Sequence, residues 1–320
     1  MTARRKHQFV EMLQEGDYLD DYFVAVRKDL RDQQGGGKFL GMVFKDRTGE
    51  VGGILWNNAP AVARQFELGD VVRVRGNVST YQGRLQVRVD AVAPLREDEY
   101  AEEDLSLSPE DTDAVFGAFR GLLATVENEW LAKLIAAFLD DEVFVERFLS
   151  AAAGKKWHHA HPGGLVLHCY EMAQLGEAAC KVFPQVDREL LLTAILLHDI
   201  GKTEELSRGL FVDYTTEGKL LGHLVIGASM IERRLAGIEG FPETLRMQLL
   251  HCVMSHHGSL ENGSPVLPKT LEAQVLCHLD NMGAQVDAMT RLTEEARERG
   301  QAWSDYVPLI ERQVWTKDAE

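Results

Sequence analysis

Cysteine is scarce in this chain. Its four cysteines, Cys169, Cys180, Cys252 and Cys277, are scattered through 320 residues, form no C-x-x-C pair and sit inside apolar segments. Reduced core thiols fit that usage better than a disulfide framework. Long apolar runs are missing too. The longest, LLLTAILL at residues 190–197, falls far short of the ~20 residues a membrane span requires. The opening residues, MTARRKHQFVEML, are basic without an apolar h-region, so neither a secretory signal nor a membrane partner is expected, and the expected compartment is the cytoplasm. Positive charge is also in deficit: 34 Lys and Arg against 50 Asp and Glu leave a net charge of −16. As an average this argues against nucleic acid, because phosphate neutralisation drives most such binding. The average hides a contrast, however. Residues 96–113, REDEYAEEDLSLSPEDTD, hold nine acidic residues against one basic, whereas arginines cluster between Arg64 and Arg88. The acidic block reads as a solvated linker, and the basic segment before it remains a candidate binding face.

What is present supports two domains. Apolar residues make up 45% and charged residues 26% of the chain, enough for each of two ordinary domains to bury a core. Residues 17–95 read as strands. In DVVRVRGNV, Val72, Val74 and Val78 fall on one side and Arg73 and Arg75 on the other; in RLQVRVDAV, Leu85, Val87, Val89 and Ala91 oppose Arg84, Gln86, Arg88 and Asp90. That period of two marks half-buried antiparallel strands, with QQGGGK, DRTGE and YQG as turns. About five short strands suggest a small barrel or sandwich. Beyond the acidic block the period becomes helical, as in Val115, Phe119, Leu122 and Leu123. Helices are expected over residues 165–182, 188–198, 222–235, 244–257 and 270–289.

Ten of the eleven histidines lie in this helical part. His168 sits one turn into a helix, His198 and Asp199 close the next, and His223 opens another. His256 and His257 end a fourth, and Asp280 lies on the last. Each alone is more simply a hydrogen-bonded core residue. Seven such residues on helices that share one core point instead to a metal, because buried carboxylates need compensation and a helix C-terminus favours a cation. Adjacent helical residues point about 100° apart, so a His-Asp pair reaches one ion only where a helix ends. Asp199, with two oxygens, can bridge two ions. Imidazole and carboxylate without thiolate favour Mn²⁺, Fe²⁺, Co²⁺ or Zn²⁺ over a structural zinc. Lys202 suits a substrate phosphate, with a solvent lysine capping the helix as the plain alternative. His251 reads as structural.

These residues resemble the HD-domain phosphohydrolases, whose signature H…HD…D maps onto His168, His198–Asp199 and Asp280. The additional His223, His256 and His257 resemble the two-metal version of that domain. The chain resembles more closely still the YhaM-type 3′–5′ exoribonuclease family, in which an OB-fold precedes the HD domain, through the blocks DRTGEVGGILW, HHAHPGGLVLH, LLHDIGKTEEL, GKLLGHLVIG and SHHGSLENGSPVLPKTLEAQVLCHLDN. One departure is Gly283, where the family commonly has a second aspartate. The resemblance implies a multidomain β + α protein: an OB-fold-like β-barrel in residues 1–95, the acidic linker 96–113 and an all-α HD helical bundle in 114–290. Outside the resemblance, the tail 291–320, with Trp303, Tyr306 and Trp315 among charges, either packs back as a short helix or mediates self-association. It implies two-metal hydrolysis of phosphodiesters in single-stranded RNA, or DNA, with Mn²⁺ first and Fe²⁺, Co²⁺, Zn²⁺ or Mg²⁺ as alternatives. One ion would take His168, His198, Asp199 and Asp280, the other Asp199, His223, His256 and His257, with Lys202 steadying phosphate charge. The barrel would bind single strands through Trp56 and Tyr81 and through Arg73, Arg75, Arg84 and Arg88. His158, His159 and His161 either touch substrate or hold the turn before the first ligand. Two other readings stand beside this one: a nucleotide or cyclic-dinucleotide phosphohydrolase, and a single-stranded nucleic-acid-binding protein without turnover.

Overall fold

A computed structural model of the chain describes residues 5–33, 36–105, 112–155, 159–308 and 310–316. It divides into two compact units, Met1–Pro109 with the loop Arg208–Val212, and Glu110–Ser207 with Asp213–Glu320.

The first unit is a closed five-stranded barrel. Strands β1 (Tyr18–Asp32), β2 (Lys38–Asp46), β3 (Gly49–Leu55), β4 (Val71–Tyr81) and β5 (Arg84–Pro94) follow one another around it in the order β1-β2-β3-β5-β4, with a single turn of helix, α1 (Ala59–Val62), after β3. The alternation in the sequence is the alternation of the barrel wall. Val72, Val74, Val78, Val87 and Val89 point inward with Phe23, Leu40 and Phe44, while Arg75, Arg84 and Arg88 face out. The pattern slips once. Arg75 pairs with Ala91 and Gly76 with Val89, so Asp90 is an extra residue in β5, and beyond it Val92 rather than Ala91 is buried. A second bulge lies in β1 between Ala25 and Arg27. Such insertions bend a strand, and here the first half of β1 pairs with β4 and the second half with β2.

The acidic segment is not simply a solvated linker. Leu95 N–H donates to Val71 O, residues Glu97–Glu99 and Glu102–Asp104 form 3-10 turns, and Leu105 is buried. Asp104 is drawn inside because it has donors there: Tyr22 Oη at 2.7 Å and the Lys6 N–H at 2.9 Å. Lys6 is itself buried, its ammonium donating to Tyr22 O and lying 3.4 Å from Asp46. Asp21 accepts the N–H groups of His7 and Gln8, and Asp46 that of Val10. Leu210 and Phe211 of the loop Arg208–Val212 join Tyr22, Val24, Val71 and Leu105 in a small apolar cluster.

The second unit is helical: α2 (Thr112–Leu123), α3 (Glu129–Leu139), α4 (Glu142–Ser150), α5 (Gly164–Val182), α6 (Arg188–Leu197), α7 (Lys202–Glu205), α8 (Thr216–Leu235), α9 (Glu243–Ser255) and α10 (Leu271–Glu298). Side chains of Asn128, Asp141, Asp187, Thr215 and Thr270 accept backbone N–H groups at five of the N-termini, as helix starts require. Helix α6 is buried from Leu190 to Leu197, which makes it the central rod of the unit and explains its apolar run. α10 continues past residue 290, where the sequence suggested a tail. Arg291–Glu295 and Glu295–Arg299 pairs replace the apolar periodicity there. Beyond α10, isolated bridges pair Trp303 with Trp315 and Val307 with Arg312. No helix among the described residues is long and apolar enough to cross a membrane, and all four cysteines are free.

Candidate metal centre and nucleic-acid interface

Five helices, two of them through the turns that follow their last residues, deliver the polar groups to one place. α6 ends at Leu197 and hands over His198 and Asp199; α9 ends at Ser255 and hands over His256 and His257. His168 comes from the second turn of α5 and Asp280 from the third turn of α10. Two glycines make the assembly compact. A side chain at Gly201 would place its Cβ 2.0 Å from His223 O, so only glycine lets the HDIG turn lie against α8. Gly222 has φ +73° and breaks α8, so His223 starts a new helical run, as the sequence suggested.

The ligand atoms form two groups, His168, His198, Asp199 and Asp280 in one and His223, His256 and His257 in the other, each within 4.8 Å of one another. Asp199 lies between them. Its Oδ2 is 3.3 Å from His198 Nε2 and 3.9 Å from His168 Nε2; its Oδ1 is 3.5 Å from both His223 Nε2 and His256 Nε2. Asp280 Oδ1 is 3.2 Å from His168 Nε2 and 4.0 Å from His198 Nε2. Donor atoms about 2.1 Å from a shared divalent ion stand roughly 3–3.5 Å apart, so these separations suit coordination.

The hydrogen bonds on the far side of the rings decide what faces inward. His198 Nδ1 is 2.8 Å from Ile195 O, His256 Nδ1 2.7 Å from Val253 O, and His257 Nδ1 3.0 Å from Asn262 O. A carbonyl only accepts, so each Nδ1 carries a proton and each neutral ring turns the Nε2 lone pair inward. His223 Nδ1 likewise faces Glu205 Oε1 at 3.1 Å. The Nε2 atoms of His223 and His257 therefore oppose each other, lone pair to lone pair, at 3.2 Å. His198 Nε2, His256 Nε2 and Asp199 Oδ1 are buried without a hydrogen-bond partner. Acceptors facing acceptors in a dry pocket repel unless a cation lies among them, and imidazole with carboxylate suits a divalent one.

The pKa shifts agree with neutral rings at His168, His256 and His257 and run the other way at His198. Burial lowers the pKa of His168 and His256, and burial with the neighbouring imidazoles brings His257 to about 4. For His198, burial is outweighed by the charge of Asp199 and the pKa rises. Burial pushes Asp199 up, but Lys202 and the imidazoles outweigh it and hold the carboxyl well below its usual range. Asp280 is also held down, the hydrogen bond with His168 overcoming burial.

Lys202 departs from expectation. Its Nζ donates to Asp199 Oδ2 at 2.5 Å and the side chain is buried, because a carboxylate three residues earlier on the same turn needs a counter-charge. It holds Asp199 rather than facing an open phosphate position. His159 holds the turn before α5: its N–H donates to Asp287, and its Nε2 lies 3.0 Å from Glu171 Oε2. His161 Nδ1 donates to Pro162 O, and His158 lies outside the described residues. His251 Nε2 accepts the Lys269 N–H and anchors the loop before α10. A Cβ at Gly283 would lie 3.8 Å from the His168 ring, so this position faces the first ligand group. Glu205, Glu171 and Asp287 were not singled out from sequence. Glu205 stands inside the quoted block LLHDIGKTEEL, which was the available signal.

On the barrel, Trp56 follows β3, is 42% exposed and packs against Phe39 of β2 with ring centroids 5.0 Å apart and planes tilted by 35°. Phe39 was also missed. It alternates outward with Gly41 and Val43 between the buried Leu40, Met42 and Phe44. Tyr81 is exposed and pairs with Arg84, while β3 aligns Ile54 with Arg88. Tyr81 thus stands at the other end of this outer surface from Trp56, with Arg84 and Arg88 along it. No ion pair among the described residues engages Arg75, Arg84 or Arg88. Arg73 differs: it is locked to Asp20 through Nε at 2.6 Å and a second nitrogen at 2.8 Å, so its charge is already neutralised.

Comparison with known proteins bears on both units. The HD domain family model matches residues 165–285, and a model described as an OB-fold nucleic acid binding domain matches residues 24–95. The 3′-5′ exoribonuclease YhaM of Shouchella clausii is 29% identical over 284 residues, 88% of either chain. That of Bacillus velezensis is also 29% identical, over 88% of this chain and 90% of its own. Among solved structures, the second OB-fold domain of replication protein A from Methanococcus maripaludis aligns at 21% identity with a TM-score of 0.24, over 29% of this chain and 97% of that one. The chain therefore carries an OB-fold domain followed by an HD domain, and it is similar over 88% of its length to the YhaM-type 3′–5′ exoribonucleases.

Proposed function

We propose that the chain is a metal-dependent 3′–5′ exoribonuclease that hydrolyses phosphodiester bonds of single-stranded RNA. The observation that carries this is the inward convergence of Nε2 lone pairs on both oxygens of Asp199, the arrangement two adjacent cations would satisfy. His168, His198, Asp199 and Asp280 would hold one ion and Asp199, His223, His256 and His257 a second, Mn²⁺ being the first choice for this donor set. Divalent ions at such a site make water nucleophilic near neutral pH and offset charge on phosphoryl oxygens. The remaining work falls to the chain. Lys202 keeps Asp199 ionised and fixed, and the carbonyls of Ile195, Val253 and Asn262 keep three rings in the ligating tautomer. No serine or cysteine nucleophile is needed: buried Cys169 and Cys252 have pKa values pushed up by burial, which keeps them as thiols.

The barrel would hold the single strand ahead of the cut, bases stacking on the Trp56–Phe39 pair and phosphates tracking Arg88 and Arg84, with Arg75 and Tyr81 extending the same surface. A polymer substrate accounts for the barrel; a mononucleotide or cyclic dinucleotide does not require it. The test is a substrate panel in Mn²⁺. 5′-labelled single-stranded RNA should shorten stepwise from its 3′ end, with single-stranded DNA as the arm that sets sugar preference. Cleavage of only mononucleotides or cyclic dinucleotides would replace this reading with that of a small-substrate phosphohydrolase, and binding without any turnover would reduce the chain to a binding protein.

A further inference from the structure

We infer that Glu205 is a positioning residue for the second of the two ion sites, fixing His223 and strengthening it as a ligand through its carboxylate charge. The inference rests on the metal-centre reading above.

Among the rings whose Nδ1 partner is described, His198, His256 and His257 donate to neutral backbone carbonyls. Of these three and His223, only His223 has a carboxylate at Nδ1, Glu205 Oε1 at 3.1 Å. The same oxygen accepts the His223 N–H at 3.0 Å. That N–H is available because Gly222 interrupts α8 and removes its helical acceptor. Glu205 is in turn held in place: it is buried, and its carbonyl accepts the Thr215 N–H at 2.9 Å. One carboxylate thus fixes both the backbone and the ring of a single ligand.

The reason lies in the charge of the two ligand groups. The first holds two carboxylates, Asp199 and Asp280. The second holds three imidazoles and only the shared Oδ1 of Asp199. A divalent ion there meets less negative charge directly. A carboxylate on the far nitrogen of a ligating histidine raises the basicity of the near one, and losing such a partner typically weakens metal binding about 10–100-fold. Glu205 supplies from behind His223 what the second group lacks in front.

The experiment is a Mn²⁺ titration of the full metal-free chain, following free Mn²⁺ by electron paramagnetic resonance, with thermal unfolding of the metal-free proteins alongside. Glu205→Gln keeps an oxygen to accept both N–H groups and removes only the charge. Glu205→Asp keeps the charge on a shorter arm. The expected result is two Mn²⁺ equivalents for the unaltered chain. Glu205→Gln should keep one at unaltered affinity and bind the other roughly 10–100-fold more weakly, with a similar metal-free unfolding temperature, and Glu205→Asp should recover part of the loss. Unchanged affinities in Glu205→Gln would overturn the inference, and so would equal weakening of both sites with a drop in unfolding temperature, the mark of a scaffold role. An unaltered chain that binds one ion overturns it while leaving the first site standing; one that binds none overturns the metal-centre reading and this inference together.

Discussion

Each unit of this protein buries a cluster of charged and polar groups, and the two clusters are opposites. In the barrel, Asp21, Asp46 and Asp104 surround Lys6, and the backbone N–H groups of Lys6, His7, Gln8 and Val10 donate to them. Every carboxylate there finds protein donors. In the helical unit, Asp199 has Lys202 on one oxygen, and its other oxygen is met only by ring nitrogens whose own protons point elsewhere. Buried aspartates alone therefore say little about a metal. What separates scaffold from site is whether the chain supplies the donors, because a satisfied polar network rigidifies while one made of acceptors requires something from outside.

The largest difference should come from Asp199→Asn. RNA shortening should fall by about a thousandfold or more, since both proposed ion sites share this residue, while circular dichroism stays that of the folded chain. If that variant keeps substantial activity, the helical cluster is scaffold like the other. Next in size is Lys6→Met, which strands buried carboxylates and should destabilise the barrel by about 3–5 kcal/mol in urea unfolding, with Mn²⁺ stoichiometry unchanged. Loss of metal binding in Lys6→Met would erase the distinction between the clusters. Trp56→Ala should weaken single-stranded RNA binding by about 1–3 kcal/mol. Arg88→Ala should flatten the salt dependence of binding by about one phosphate contact, and Arg73→Ala, already paired with Asp20, by less; equal effects would mean that the Asp20 pair opens on binding.

The smallest effects are in pH, and they fall at opposite ends of the scale. His257 titrates at about 4 in the fold against 6.5 when free. Between those values the unfolded chain binds the extra proton, so metal-free stability should rise as pH goes from about 4 to 6.5. Lys6 is lowered by burial to about 8 from 10.5, so its share of stability should rise between about 8 and 10.5. Adding Mn²⁺ should enlarge the acidic slope, because protons then compete with the ions, and leave the alkaline one alone. Thermal unfolding across pH with and without Mn²⁺ reads both.

Much of this was legible from sequence where a pattern is local. Val72, Val74, Val87 and Val89 announce the barrel because alternation is a nearest-neighbour property, and residues 190–197 announce the buried α6 for the same reason. The candidate metal-holding groups drew notice because most stand at or near a helix end beside an apolar run, Asp280 in the third turn of α10 being the exception. What escaped depends on partners distant in the chain. Glu205 meets His223 across 18 residues and a helix break. Asp104 leaves the acidic block for Tyr22, 82 residues away. Arg73 reads as a free cation until β1 brings Asp20 beside it. Asp90 shifted the inward face of β5 by one residue, which no alternation within β5 alone reveals. α7, four residues long, is too short to show any period.

The account stands on paired cations held around Asp199, and the most direct measurement is anomalous diffraction at the manganese edge from crystals soaked in Mn²⁺. Two peaks are predicted, one within coordination distance of His168, His198, Asp199 and Asp280, the other within reach of Asp199, His223, His256 and His257. An ordered centre with no peak beside Asp199, under conditions in which the chain degrades RNA, would contradict it.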